Sequence, residues 1–214
     1  MGNRAVITTR KNFEKNGVGV YLHWNGSRDS VGAFLKYCEL KGYRSPSEDN
    51  YGWARLCQVI GNFFGGTTSI GIDVVSNLDT DNYDNGTYII EGWKIVDRKY
   101  FSGCEQDSYS MEEMLQVIDE LQPDGERLGD YLKAIEITTE KVKLGDMVCF
   151  INWNGRLVKG EVVGFGEDKI VNGTKVRNMP YLNLHGDKEK GYDWNINNYI
   201  QTKTARVLPK ERGE

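Results

Sequence analysis

Five side chains able to bind or catalyse fall within seven residues: His23, Trp24, Asn25, Arg28 and Asp29. A guanidinium can grip a phosphate or carboxylate, and an indole can stack on a planar or cationic group, so this stretch is a candidate ligand surface. Its flanks say how it would be presented. Val18, Val20 and Leu22 alternate with Gly19, Tyr21 and His23, the period of a half-buried strand. Asn25-Gly26 is a strong turn dipeptide, because both residues accept positive φ at little cost. Ser27 or Asp29 can cap a helix, and Val31, Phe34, Leu35 and Cys38 give that helix one apolar stripe. A strand, a sharp turn and a helix N-terminus would thus gather the polar groups beside unpaired helical N–H donors.

Other constellations are weaker. Cys57 or Ser27 with His23 and Asp29 could be written as nucleophile, base and orienter, but no local motif accompanies them and such sets are defined by geometry. A strand-end histidine bonded to backbone is the plainer account. Asp79, Asp81 and Asp84 in LDTDNYDNG offer hard oxygen ligands, as a calcium loop does. Counted from Asp79, position 5 is Tyr83, position 6 is Asp84 and position 12 is Ile90, which fails the EF-hand pattern. A hairpin turn fits better, and the three aspartates stand as a candidate binding surface. Glu112-Glu113 and Asp119-Glu120 read as the wet face of a helix. The chain lacks GxxxxGK[ST] and GxGxxG, so neither ATP nor a dinucleotide has a motif. It also lacks a CxxC pair and has only two histidines, so no metal and no cofactor is expected.

The elements that must position these residues follow in order. Residues 4–8 read as a strand, 10–17 as a hairpin loop and 18–24 as the return strand. Helices are expected over 30–42, 51–64 and 111–121, the last opened by a capping box of Ser110 and Glu113. Residues 68–75 alternate as a strand, and 87–90 with 93–100 form a hairpin bent at Glu91-Gly92. Leu128 to Ile137 is ambiguous between helix and strand. The first domain, 1–138, is therefore α+β, an antiparallel sheet with two to three helices. Residues 142–210 change to short strands around a Gly145-Asp146 lead-in and an Asn154-Gly155 turn, the pattern of an SH3-like all-β small barrel. Trp-Asn-Gly recurs at 24–26 and 153–155 with different flanks, so it is turn chemistry used twice rather than an internal repeat.

Net charge is −4 over 214 residues, unevenly spread. Residues 1–55 hold nine basic and five acidic residues, net +4; residues 56–126 hold three basic and fourteen acidic, net −11. Residues 141–214 hold thirteen basic and nine acidic, net +4, and Lys143, Arg156, Lys159, Lys175 and Arg177 there are the candidate nucleic-acid contacts. No apolar run of about 18 residues is present, so no membrane span is expected. The widely spaced cysteines, Cys38, Cys57, Cys104 and Cys149, fit free thiols in a reducing cytoplasm.

NRAVIT, then VYLHWNGSRDSVGAFL, then YGWARLCQVIGNFFGG, resemble a group of small accessory proteins of phages and conjugative elements over about residues 3–75. The HWNG turn, His23 to Gly26, is the most distinctive piece; the group carries a second Gly where this chain has Ser27. The resemblance implies a mobile-element origin. Small acidic phage proteins often act by binding, so the expectation is a non-catalytic, anti-CRISPR-like inhibitor of a bacterial defence system, working in the host cytoplasm. It would cover a nuclease effector with the acidic segment 73–126, or sequester a nucleotide signal. The alternatives are a nucleic-acid-binding module reading through the barrel, and a nucleotide-acting enzyme using the 23–29 turn.

Overall fold

A computed structural model describes residues 2–66, 69–101, 103, 105, 109–136, 143–152, 156–165, 169–171, 174–176, 180–183 and 206–208. Contacts divide the chain into two units, Met1–Asp124 and Gly125–Glu214. This division lies ahead of the 138–142 boundary read from the change to short strands, because residues 135–136 pair with strand 206–207.

The first unit is α+β. Its strands are β1 (Ala5–Thr9), β2 (Val18–Leu22), β3 (Ile70–Val74), β4 (Thr87–Glu91) and β5 (Lys94–Lys99), in the order β3-β2-β1-β4-β5. The sheet is mixed, which corrects the antiparallel expectation. β1 pairs antiparallel with β2, but β4 enters on the other side of β1 in parallel, Val6 opposite Thr87 and Ile7 opposite Tyr88. The residues between β3 and β4 carry the chain across one face of the sheet. There the Leu78 side chain packs over Gly19, where an added Cβ would lie 2.7 Å from Leu78 Cδ1. Tyr88, on the opposite face, donates its OH to Gly26 O at 3.0 Å. That bond sets the head of the following helix over this face.

Four α-helices lie among the described residues of the unit: α1 (Arg10–Glu14), α2 (Arg28–Leu40), α3 (Asn50–Phe64) and α4 (Met111–Glu120). α1 replaces the hairpin loop expected over 10–17; Thr9 caps it through the Asn12 N–H. Ser27 caps α2, and Gly65 ends α3 in the left-handed region at φ 61°. The Ser110–Glu113 capping box of α4 forms as expected. Val31, Phe34 and Leu35 of α2, Leu56 and Ile60 of α3, and Met114 and Ile118 of α4 are all buried. Burying such side chains contributes roughly 1.5–3 kcal/mol each. Tyr37 of α2 donates to Asp119 Oδ1 of α4 at 2.7 Å, so Asp119 turns inward rather than lying on the wet face. β3 also departs from its pattern. Its Ile72 is 60% exposed, because β3 is the sheet's edge.

The second unit holds a 3-10 turn (Gly129–Lys133) and strands β6 (Ile135–Glu136), β7 (Met147–Ile151), β8 (Leu157–Phe165), β9 (Lys169–Val171), β10 (Thr174–Val176), β11 (Pro180–Asn183) and β12 (Arg206–Val207). Five of them form one antiparallel sheet, β11-β8-β7-β12-β6. Val148, Cys149 and Phe150 are buried, and the Arg206 guanidinium lies 4.7 Å over the Tyr131 ring. Among the described residues, no helix is long and apolar enough to cross a membrane.

Candidate functional site

The turn at 23–29 folds as its sequence suggests. Asn25 sits at φ 55° and Gly26 is buried. An added Cβ at Gly26 would lie 2.7 Å from the Arg4 carbonyl carbon and 2.7 Å from Asn3 O, so only glycine lets the turn close onto the entry of β1. The Gly26 N–H donates to Asn3 O at 2.8 Å. Ser27 is also buried, with its hydroxyl engaged at the cap of α2, so this serine is structural.

Of the predicted residues, His23 and Trp24 are exposed and stack edge-on, centroids 4.9 Å apart. The His23 ring meets Tyr21 OH at 3.4 Å, and its backbone N–H donates to Ser69 O. Arg28 is exposed; its backbone N–H, at the first turn of α2, donates to Glu105 Oε1 at 2.8 Å. The other Glu105 oxygen accepts from Arg98 Nη1 at 2.6 Å. Arg98 also donates to Asn85 O and Oδ1, and lies 4.6 Å over the Tyr88 ring and 3.6 Å over the Phe101 ring. A protein carboxylate thus fills the N-terminus of α2, where the helix favours negative charge.

The aspartates of 79–84 belong to a turn built by Asn82. Buried Asn82 accepts from the Asp84 and Gly86 N–H groups and donates to Asp79 O and Gly86 O. Asp84 accepts the Arg4 N–H at 2.9 Å, and Asp79 lies 3.7 Å from the Arg4 guanidinium. Asp81 is exposed. No group of three or more His, Cys, Asp or Glu among the described residues could hold a metal ion. Cys57 is a poor nucleophile, because burial pushes its thiol up to about 11. In the second unit, Lys159 is ion-paired with Asp130, Lys143 and Arg156 are exposed, and Lys175 falls in β10. Arg177 lies outside the described residues, as do Asn154-Gly155 and Cys104.

A second candidate site lies away from every motif of the sequence. A cleft of about 730 Å³ opens at the carboxyl ends of the parallel pair β1 and β4, lined by Thr9, Val18, Ile90 and Glu91 from the strands. α1 forms one lip, through Arg10, Lys11, Glu14 and Lys15; Pro46 to Asn50 and Trp53 form the other. Gly52 makes the second lip possible. A Cβ there would lie 2.2 Å from the Ser45 carbonyl carbon, so glycine lets α3 press against the 45–46 backbone. Ser47 Oγ accepts the Gly92 N–H at 3.1 Å and Tyr43 O accepts Trp93 Nε1 at 2.8 Å, tying this loop to the β4–β5 turn. The volume is that of a small-molecule site, about 300–1,000 Å³. The residues converge through tertiary structure alone, so no local spacing could announce them.

Comparison with family models, with curated proteins and with solved structures finds no match to this chain.

Proposed function

We propose that the chain is a non-catalytic binding protein of a phage or conjugative element. It counters a bacterial defence system inside the host cell by sequestering a small signal ligand. The cleft at the ends of β1 and β4 carries this reading, through its volume, its strand-end floor and its two charged lips. The phage or conjugative-element origin rests on the sequence resemblance. For the second unit we infer an SH3-like barrel, supported by the β8-β7-β12 pairing.

A phage-plating assay in a defended host tests the whole reading. Expression of the wild-type chain should restore plaques, and Asn50→Trp, which plugs the cleft from an exposed position on its lip, should not. Full defence in the presence of the wild-type chain counts against the reading.

The 23–29 turn supports a second reading, in which the chain docks on a nuclease effector. Trp24 is 44% exposed, and the Arg28 side chain has no partner among the described residues. Loss of effector capture in Arg28→Ala, with an unchanged melt, would favour it over the cleft.

A further inference from the structure

We infer that β3 pairs edge to edge with β3 of a second copy of this chain, antiparallel, about a two-fold axis at Gly71; the inference is independent of the cleft. The backbone prepares this contact. The Val75 N–H donates to Gly17 O, and the His23 N–H donates to Ser69 O. Ser69, Gly71, Asp73 and Val75 therefore turn their backbone groups toward β2, and Ile70, Ile72 and Val74 turn theirs outward. No strand lies on that outer side among the described residues. Asp73 Oδ1 accepts the Val74 N–H at 2.7 Å. The N–H and C=O groups of Ile70 and Ile72 have no partner among the described residues.

The two edges of the sheet differ in how they meet solvent. β5 carries Lys94, Asp97, Arg98 and Lys99, and Val96 is an extra residue bulged against β4. Charges and bulges keep a strand edge from pairing with another chain. From residue 69 to 72 the β3 edge reads Ser-Ile-Gly-Ile, with no charge, and its Ile72 is among the most exposed apolar side chains.

This edge complements a copy of itself. An axis at Gly71 sets Ile70 opposite Ile72 of the copy, and Ile72 opposite its Ile70. Each such pair exchanges two hydrogen bonds, so every open N–H and C=O of Ile70 and Ile72 is satisfied. Gly71 meets Gly71 at the narrow position between those pairs, where no side chain stands in the way. The register Ile72–Val20–Ile7–Tyr88 places the isoleucines of both copies in one apolar row on the face that carries α2. The contact is isologous, as a closed dimer requires. Charge selects this register over its neighbour. An axis at Ile72 would oppose Ile70 to Val74, whose N–H Asp73 already holds, and would bring the two Asp73 carboxylates within two positions of each other on one face. The axis at Gly71 leaves each Asp73 opposite Ser69 of the copy and parts the like charges.

Analytical ultracentrifugation of the full chain over a concentration series tests this, together with mild oxidation of Gly71→Cys. The wild-type chain should show a reversible monomer–dimer equilibrium. Ile72→Pro removes the Ile72 donors and should weaken the dimer roughly tenfold or more. Ile72→Lys puts a charge on the edge and should abolish it. Both spare the β2–β3 ladder, which runs through Gly71 and Asp73, so the melt of the dilute Ile72→Lys chain should match wild type. Gly71→Cys should cross-link between copies and wild type should not, because the two Cα atoms at the narrow position lie about 4.5 Å apart, within disulfide reach. A chain that stays monomeric across the series overturns the inference and leaves the edge to a strand of another protein. A dimer as stable in Ile72→Lys as in wild type, or one without the Gly71→Cys cross-link, overturns it as well.

Discussion

Gly26→Ala is the sharpest structural perturbation of the organising turn. The new Cβ would lie 2.7 Å from the Arg4 carbonyl carbon and Asn3 O and 2.8 Å from Ala5 Cβ. The first two are backbone atoms, so no side-chain rotation relieves the clash. The turn must move, and moving it strains the 2.8 Å bond from Gly26 N to Asn3 O and the 3.0 Å bond from Tyr88 OH to Gly26 O. Overpacking costs about 1–3 kcal/mol, and a weakened buried hydrogen bond about 1 kcal/mol. The sum is about 2–4 kcal/mol. For a unit spanning Met1–Asp124, at about 3–4 °C per kcal/mol, the melt should fall by roughly 6–15 °C. Amide hydrogen exchange on β1 and β4 reports this unit directly. Gly61→Ala is the control, because nothing lies within 4 Å of its added Cβ and it sits inside α3. It should stabilise by about 0.5–1 kcal/mol through helix propensity. A Gly26→Ala chain that melts within about 1 °C of wild type would refute the close-approach argument.

Further outcomes follow from the same geometry. Asn82→Ala removes four hydrogen bonds from a buried turn and should destabilise by about 2–4 kcal/mol, while added calcium should leave the melt unchanged, because Asn82 and not a cation holds Asp79 and Asp84 in place. Burial pushes the Cys57 and Cys149 thiols up to about 11. Keeping them neutral stabilises the fold fully below the unfolded thiol range of about 8.5, and that contribution is lost as pH rises through about 11. Mass-spectrometric mapping should show both thiols resisting iodoacetamide at neutral pH and reacting as the pH approaches their raised values. A fragment from Gly125 onward should melt cooperatively. One starting at residue 140 should not, because it lacks β6 and the buried Tyr131 under Arg206.

The local chemistry of the chain was legible where one residue type forces one geometry. Asn25 turned at φ 55°, and Ser27 capped α2 and Ser110 with Glu113 capped α4, the two caps from contacts within four residues. What depends on distant partners was not legible. RKNFE carries no apolar period, so α1 looked like a loop until Thr9 capped it. Ile70, Ile72 and Val74 alternate like a half-buried strand, yet β3 lies at the sheet edge and leaves Ile72 in solvent. Nothing in AVITT or TYIIE says that they pair in parallel, because register between strands 81 residues apart is a tertiary outcome. The cleft inherits that blindness: Lys11, Ser47 and Glu91 meet only after β1 and β4 have paired.

The most direct test of the central claim is mass spectrometry of what the protein carries out of a defended host during phage challenge. The chain is purified under native conditions, denatured, and the released small molecules are identified. The account predicts an intact small molecule, released stoichiometrically from the wild-type chain and absent from Asn50→Trp. A chain that releases no such compound, or releases only a chemically altered one, would contradict it.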